Sequence, residues 1–220
     1  MQKTIIYQML PRLWGNGKAR PKKNGTLADN GTGKFSDIDH NTLKYLKWLG
    51  CSHVWYTGVI RHSTQASEEG CIPSHPQFVK GKAGSPYAIC DYYDVNAYLA
   101  DDPQQRMEEF ESLIARTHEA GLKVIIDFVP NHVSRDYGKV NPVPGHPVLG
   151  SDDDTSVHWK PENDFFYYPG QGIKLPTETP AGMEAYSEFP AKATGNNCFS
   201  PCPGINDWYE TVKINYGDTY

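Results

Sequence analysis

The sequence predicts an α/β fold. Three observations carry that prediction: strand-like apolar segments alternate with amphipathic helical ones, each helix passes into the next strand within a residue or two, and the third strand is apolar without alternation. The first strand is read at residues 4–10, where Thr4-Ile5-Ile6-Tyr7-Gln8-Met9-Leu10 is apolar, partly β-branched and stopped by Pro11. A loop rich in Gly, Asn and Lys runs on to Gly33. Ile38, Leu43, Leu46 and Leu49 then approximate helical spacing, with Asp39 or Asn41 as cap and Gly50 as stop. Directly after it, His53-Val54-Trp55-Tyr56-Thr57-Gly58-Val59 reads as the second strand.

The next unit repeats this grammar. Asp102 caps, Pro103 takes the first helical position, and Met107, Phe110, Leu113, Ile114 and Thr117 line one face before Gly121 ends the helix. Leu122-Lys123-Val124-Ile125-Ile126-Asp127-Phe128-Val129 follows at once; its unbroken apolar character predicts a strand buried on both faces of a parallel sheet. Residues 59–102 read as one long loop. From Asn131 to Tyr220 many Pro and Gly, the run Asp152-Asp153-Asp154 and the aromatic cluster from Phe165 to Tyr168 replace the rhythm, as in a functional excursion or inserted subdomain. Both excursions follow strands, and parallel α/β folds bind ligands at the C-terminal ends of their strands.

Composition narrows the function. With 38% hydrophobic and 12% aromatic residues the chain is globular, and a net charge of -5 argues against a phosphate backbone as partner, which needs clustered Lys and Arg. No apolar run approaches the roughly 20 residues of a membrane-spanning helix. The first ten residues lack a small-residue cleavage site and run into Pro11-Arg12-Leu13-Trp14, which suits a mature strand; a leader removed ahead of Met1 would place the protein outside the cytoplasm. Five Cys are too few for a disulfide scaffold. Cys198 and Cys202 would close only a small loop and find no second pair for zinc. The sequence has no phosphate loop, dinucleotide fingerprint or nucleophile elbow. The Asp152 to Asp154 run reads as a solvated acidic loop before a calcium site. Asn24 and Asn30 fit the glycosylation acceptor, relevant only to a secreted eukaryotic product.

Two clusters carry chemistry. In Asp127-Phe128-Val129-Pro130-Asn131-His132 a carboxylate inside an apolar strand predicts a basic partner, while Asn131 and His132 are expected to emerge at the rim. There His132 would face a ligand and Asn131 would offer a carbonyl to a ligand or cation; the structural alternative is a polar network that holds the loop. In the second cluster, residues 84–96, the Tyr-rich segment suits sugars, whose C–H faces pack on rings while their hydroxyls meet carboxylates and amides.

Together the motifs point to a family. Ile6-Tyr7-Gln8, then Phe35-Ser36-Asp37-Ile38 leading into Leu43-x-x-Leu46-x-x-Leu49-Gly50, resembles the opening of the α-amylase family of glycoside hydrolases. Tyr87-x-x-x-Asp91-Tyr92-Tyr93-Asp94-Val95 is similar as well, and Asp127 to His132 resembles that family's first conserved region, at the end of its third barrel strand. The resemblance spans at least residues 4–135. It implies a (β/α)8 barrel of TIM type, of which this chain would hold only the first three βα units (residues 1–132) and the irregular subdomain inserted after strand three (133–220).

By the same resemblance, His132 would hydrogen-bond the sugar preceding the cleaved bond and Tyr87 would stack beneath that ring. Asp127 would partner an active-site arginine, Asp91 would support the Tyr87 loop, and Asn131 matches a position that often binds calcium. The substrate would be an α-glucan oligo- or polysaccharide, hydrolysed with retention by two carboxylates about 5–5.5 Å apart. No segment matches the family's Arg-x-Asp nucleophile motif, so the chain is expected to contribute no catalytic residue, to require a C-terminal barrel half and to be inactive alone; such a barrel needs about 250 residues. The alternative is a non-catalytic relative that serves as a sugar-binding or interaction module.

Overall fold

The protein's structure, a computed structural model, describes residues 3–138 and 148–217. Parts of the expected ranges 1–132 and 133–220 therefore lie outside the described residues. The chain divides into two compact units, each assembled from separate stretches. The first comprises residues up to Arg61, Ala66–Ile72 and Tyr92–Phe128; the second comprises His62–Gln65, Pro73–Asp91 and residues from Val129 onward.

The first unit contains the expected elements in shortened form: β1 (Ile6–Met9), a single turn α1 (Leu27–Asn30), α2 (His40–Trp48) and β2 (His53–Tyr56). The chain then passes between the units along β3 (Ile60–His62) and β4 (Ile89–Val95), which pair with each other, and returns for α3 (Arg106–Glu119) and β5 (Lys123–Ile126). The strands β1, β2 and β5 form a parallel sheet in that order, with Ile6 opposite His53 and His53 opposite Lys123. Parallel neighbours joined by helices are the βαβ grammar that the sequence predicts.

Caps decide where the helices start. The Asp39 carboxylate accepts from the Thr42 N–H at 2.7 Å, so Asp39 and not Asn41 opens α2, and Leu43 and Leu46 of that helix are buried. Asp102 accepts from the Gln104 N–H at 2.9 Å, but Pro103 opens a 3₁₀ turn, Pro103–Gln105, and the α-helix begins only at Arg106. Of the expected apolar face, Phe110, Leu113 and Thr117 are buried, whereas Met107 is exposed. The core gathers Met9, Val54 and Tyr56 from the sheet, Leu43 and Leu46 from α2, and Phe110 and Leu113 from α3. The 3₁₀ turn Phe35–Asp37 closes it: Phe35 packs on Phe110 at 5.4 Å, and the Arg116 guanidinium donates to the carbonyls of Ile38 and Phe35.

Two expectations need correction. The third strand, β5, is not buried on both faces: Val124 and Ile125 are half-buried, and Ile126 and Phe128 are 43% and 72% exposed. Helices cover one sheet face only, and among the described residues no strand lies beyond β5. Nor is 59–102 a plain loop, since β4 runs through its Tyr-rich part. There Asp94, 6% exposed, would oppose strand formation, but Arg61 at 3.0 Å and Arg106 at 2.6 Å neutralise it.

The second unit is irregular, as expected, and none of its described residues is helical. It holds short antiparallel ladders: β6 (His132–Ser134), β7 (Tyr167–Tyr168), β8 (Ala191–Lys192) and β9 (Thr211–Lys213), with β6 paired to β9 and β7 to β8. The Asp run braces this unit. Asp153 accepts from the N–H groups of Asp164 (2.7 Å) and Phe165 (3.1 Å) and from the Tyr167 hydroxyl (2.7 Å). Cys198 and Cys202 are free thiols.

Candidate functional site

The site is built around β6. His132 and Ser134 lie on one face of that strand, and Val133 points to the other. Ser134 donates to Asp136 at 2.6 Å, and the same carboxylate accepts from Ser63 at 2.9 Å and Ser74 at 2.5 Å. Beyond the strand, Arg135 is fully enclosed; its Nη1 donates to Glu188 Oε1 at 2.7 Å and its Nε to the Tyr209 carbonyl at 2.5 Å. Burial pushes the Glu188 carboxyl up, but the Arg135 and Lys192 charges outweigh it and hold the group below the usual carboxylate range. These contacts anchor the chain on the C-terminal side of the imidazole.

His132 itself is 4% exposed. Its Nε2 lies 3.0 Å from the Tyr87 carbonyl oxygen, which can only accept, so Nε2 carries the proton in this contact. Desolvation pulls the imidazole below its ordinary pKa, and the Tyr87 carbonyl offsets part of that effect. The Trp208 ring stands edge-on to it, with centroids 5.2 Å apart and planes at 61°. Gly195 covers its base: a Cβ there would fall 2.7 Å from His132 Cβ and 2.5 Å from Thr211 Oγ1, so only glycine fits without displacement. The expectation that His132 emerges at the rim is therefore corrected. β9, Gly195 and Trp208 come from far along the chain and wrap the ring.

Tyr87 is presented differently. Gly84, at φ +73, turns the chain where a Cβ would overlap the Ser63 carbonyl, and Ser85 Oγ accepts the Tyr87 N–H at 3.3 Å. The side chain is left 41% exposed while its carbonyl is tied to His132. The structure thus brings His132 and Tyr87 together. Asp91 is buried in β4, with a relative exposure of 6%. Asn131 is exposed, and its carbonyl accepts the Ile214 N–H at 3.2 Å. Among the described residues no three His, Cys, Asp or Glu gather as a cation site.

Asp127 belongs to the first unit. It is half-buried just past β5, and among the described residues no basic side chain pairs with it: the carboxylate accepts from Trp55 Nε1 at 2.8 Å and from the Gly58 N–H at 3.0 Å. Indole and amide donors together engage both oxygens of the carboxylate at this strand end. Sequence reasoning missed Gly195 and Trp208. Nothing in the sequence marks the glycine, but a Trp inside the polar loop stretch Asn206-Asp207-Trp208 was a readable signal, since large aromatics on loops often serve binding.

Comparison with known proteins agrees with these motifs. Residues 21–192 match the family described as alpha amylase, catalytic domain. Maltase A1 of Drosophila melanogaster is 29% identical over 128 residues, which are 58% of this chain and 16% of that protein. Amino acid transporter heavy chain SLC3A1 of Homo sapiens is 27% identical over 133 residues, 60% of this chain and 14% of that one. Among solved structures, the maltogenic alpha-amylase AmyB of Thermotoga neapolitana is 28% identical, with a TM-score of 0.40, over 62% of this chain and 25% of that chain. The matching part of the chain is thus about a sixth as long as the curated relatives.

Proposed function

Because the chain belongs to the alpha-amylase catalytic-domain family, a family of glycosidases with a TIM-barrel type fold, we propose that it is part of a glycosidase acting on α-glucans. In this reading the chain supplies a portion of the substrate-binding wall, and the carboxylates that break the glycosidic bond belong to the remainder of the barrel. The barrel units would occupy 1–132 and the inserted subdomain 133–220.

The observation that carries the reading is the tie between His132 Nε2 and the Tyr87 carbonyl. It joins the two positions that the family resemblance assigns to one sugar subsite, and it leaves the Tyr87 ring open as a stacking face. His132 holds the Tyr87 backbone through Nε2. Its single Nε2–H serves the Tyr87 carbonyl, so a sugar hydroxyl would have to displace that carbonyl to bind the same hydrogen. Asp91 would stiffen the strand that follows Tyr87, and Asp127 would hold the end of β5 through Trp55 and Gly58. No step is routed through calcium.

Calorimetric titration of the full chain with maltoheptaose tests this. Binding that Tyr87→Ala and His132→Ala both weaken is the expected result, with no release of reducing sugar by the chain alone. Absence of binding overturns the substrate class, and robust, inhibitor-sensitive hydrolysis overturns the placement of the chemistry. A second reading, an interaction module without sugar chemistry, draws on the similarity to a transporter heavy chain and on the enclosure of His132. It predicts no glucan binding in the same titration.

A further inference from the structure

The glucan-binding reading leaves Trp208 unused, and the geometry around it points to a role. We propose that Trp208 is a second sugar-stacking residue, which together with Tyr87 forms a platform for an α-linked glucose oligosaccharide of more than two units. This rests on the reading above and deepens it.

Three features support the assignment, all within the second unit. Trp208 is 43% exposed, although an indole has much to gain from full burial, and its ring packs edge-on against His132. The residue is also clamped. Its N–H donates to Asn196 Oδ1 at 3.3 Å, its carbonyl accepts from the Thr211 N–H and hydroxyl at 2.9 Å each, and Asn196 is fixed by Asp207 Oδ1 at 2.9 Å. With its backbone already fixed, Trp208 has only its side-chain torsions left to order when a ligand lands on the ring. Finally, Trp208 and Tyr87 share one support: the imidazole of His132 takes the Trp208 ring edge-on and the Tyr87 carbonyl on Nε2. Both exposed residues therefore abut one buried imidazole. Flat apolar rings flanked by the amide of Asn196 and the carboxylate of Asp207 match the alternation of C–H faces and hydroxyls on a pyranose.

The test uses the full chain with Trp208→Ala and Trp208→Phe, titrated with maltose and maltotetraose by calorimetry. Trp208→Ala should bind maltotetraose about tenfold more weakly, as expected for losing one aromatic contact of this kind, while maltose, short enough for one ring, loses less and Trp208→Phe keeps most of the affinity. A purely structural Trp208 would reduce both ligands alike. Equal affinity of Trp208→Ala and the parent chain, or an equal loss for both ligands, overturns the inference and leaves the glucan reading intact; a parent chain that binds neither ligand overturns both. If circular dichroism shows Trp208→Ala unfolded, fluorescence decides: maltotetraose should change the emission of the parent chain and not that of Trp208→Phe, and an unaltered response in Trp208→Phe overturns the assignment.

Discussion

Burial pulls the His132 imidazole below its ordinary pKa, and that has a consequence for stability. Burial lowers its folded pKa below the ordinary value near 6.5, so above that pH the ring is neutral in both folded and unfolded chains and its contribution is complete. As pH falls from about 6.5 toward the lower folded value, the unfolded chain binds the proton first, and stability falls with pH. Urea midpoints measured at pH 8 and 5.5 should therefore drop for the parent chain and drop less for His132→Gln. Identical slopes in the two proteins would show that the imidazole is not the group responsible. The positions of Tyr87 and His132 were legible in the sequence because each sits in a dense polar motif next to a strand. The enclosure of His132 was not, because it depends on Gly195, Trp208 and Thr211, whose approach is set by tertiary packing and leaves no local pattern.

Among the elements, α3 is joined to the sheet by one buried polar pair. The Tyr56 hydroxyl on β2 and Thr117 Oγ1 on α3 lie 2.7 Å apart, and Thr117 also donates to the Leu113 carbonyl of its own helix. Thr117 is 0% exposed, so Thr117→Val keeps the shape and strips the Tyr56 hydroxyl of its partner in a buried site. Chemical denaturation should show a loss of about 1–3 kcal/mol. Adding Tyr56→Phe should restore part of it, since both polar atoms are then gone; a double variant worse than the single would refute the account. α2 and α3 were readable because caps, periodicity and stop glycines agree, and β1, β2 and β5 because apolar, β-branched runs stand out. The strands β6 to β9 are two or three residues long, too short for any period to register. β4 was hidden by its aspartates, and only the pairing of Asp94 with Arg61 and Arg106, distant or polar in sequence, makes a strand of it.

For the molecule as a whole, the first unit presents apolar surface that its own elements do not cover. The parallel register places Ile6, Gln8, Trp55 and Ile125 on the sheet face away from the helices, and Ile6 is 50% exposed. Past the β5 end Phe128 is 72% exposed, and among the described residues β1 and β5 are open edges. Fully burying one such side chain is worth about 1.5–3 kcal/mol, so whatever covers this face gains several kcal/mol. In a TIM-barrel type fold that face turns inward and further strands pair with both edges. The 220 residues alone have a second copy as the nearest substitute, and edge-to-edge pairing follows the same hydrogen-bonding rules. Light scattering on the isolated chain should show association that grows with concentration, accompanied by enhanced fluorescence of a hydrophobic dye. Phe128→Ser with Ile6→Thr should reduce both signals, because they remove apolar surface without touching the helix-covered core. A monodisperse monomer that melts sharply and leaves the dye dark would mean that this face is covered after all, and the case for further barrel strands against β1 and β5 would fall with it.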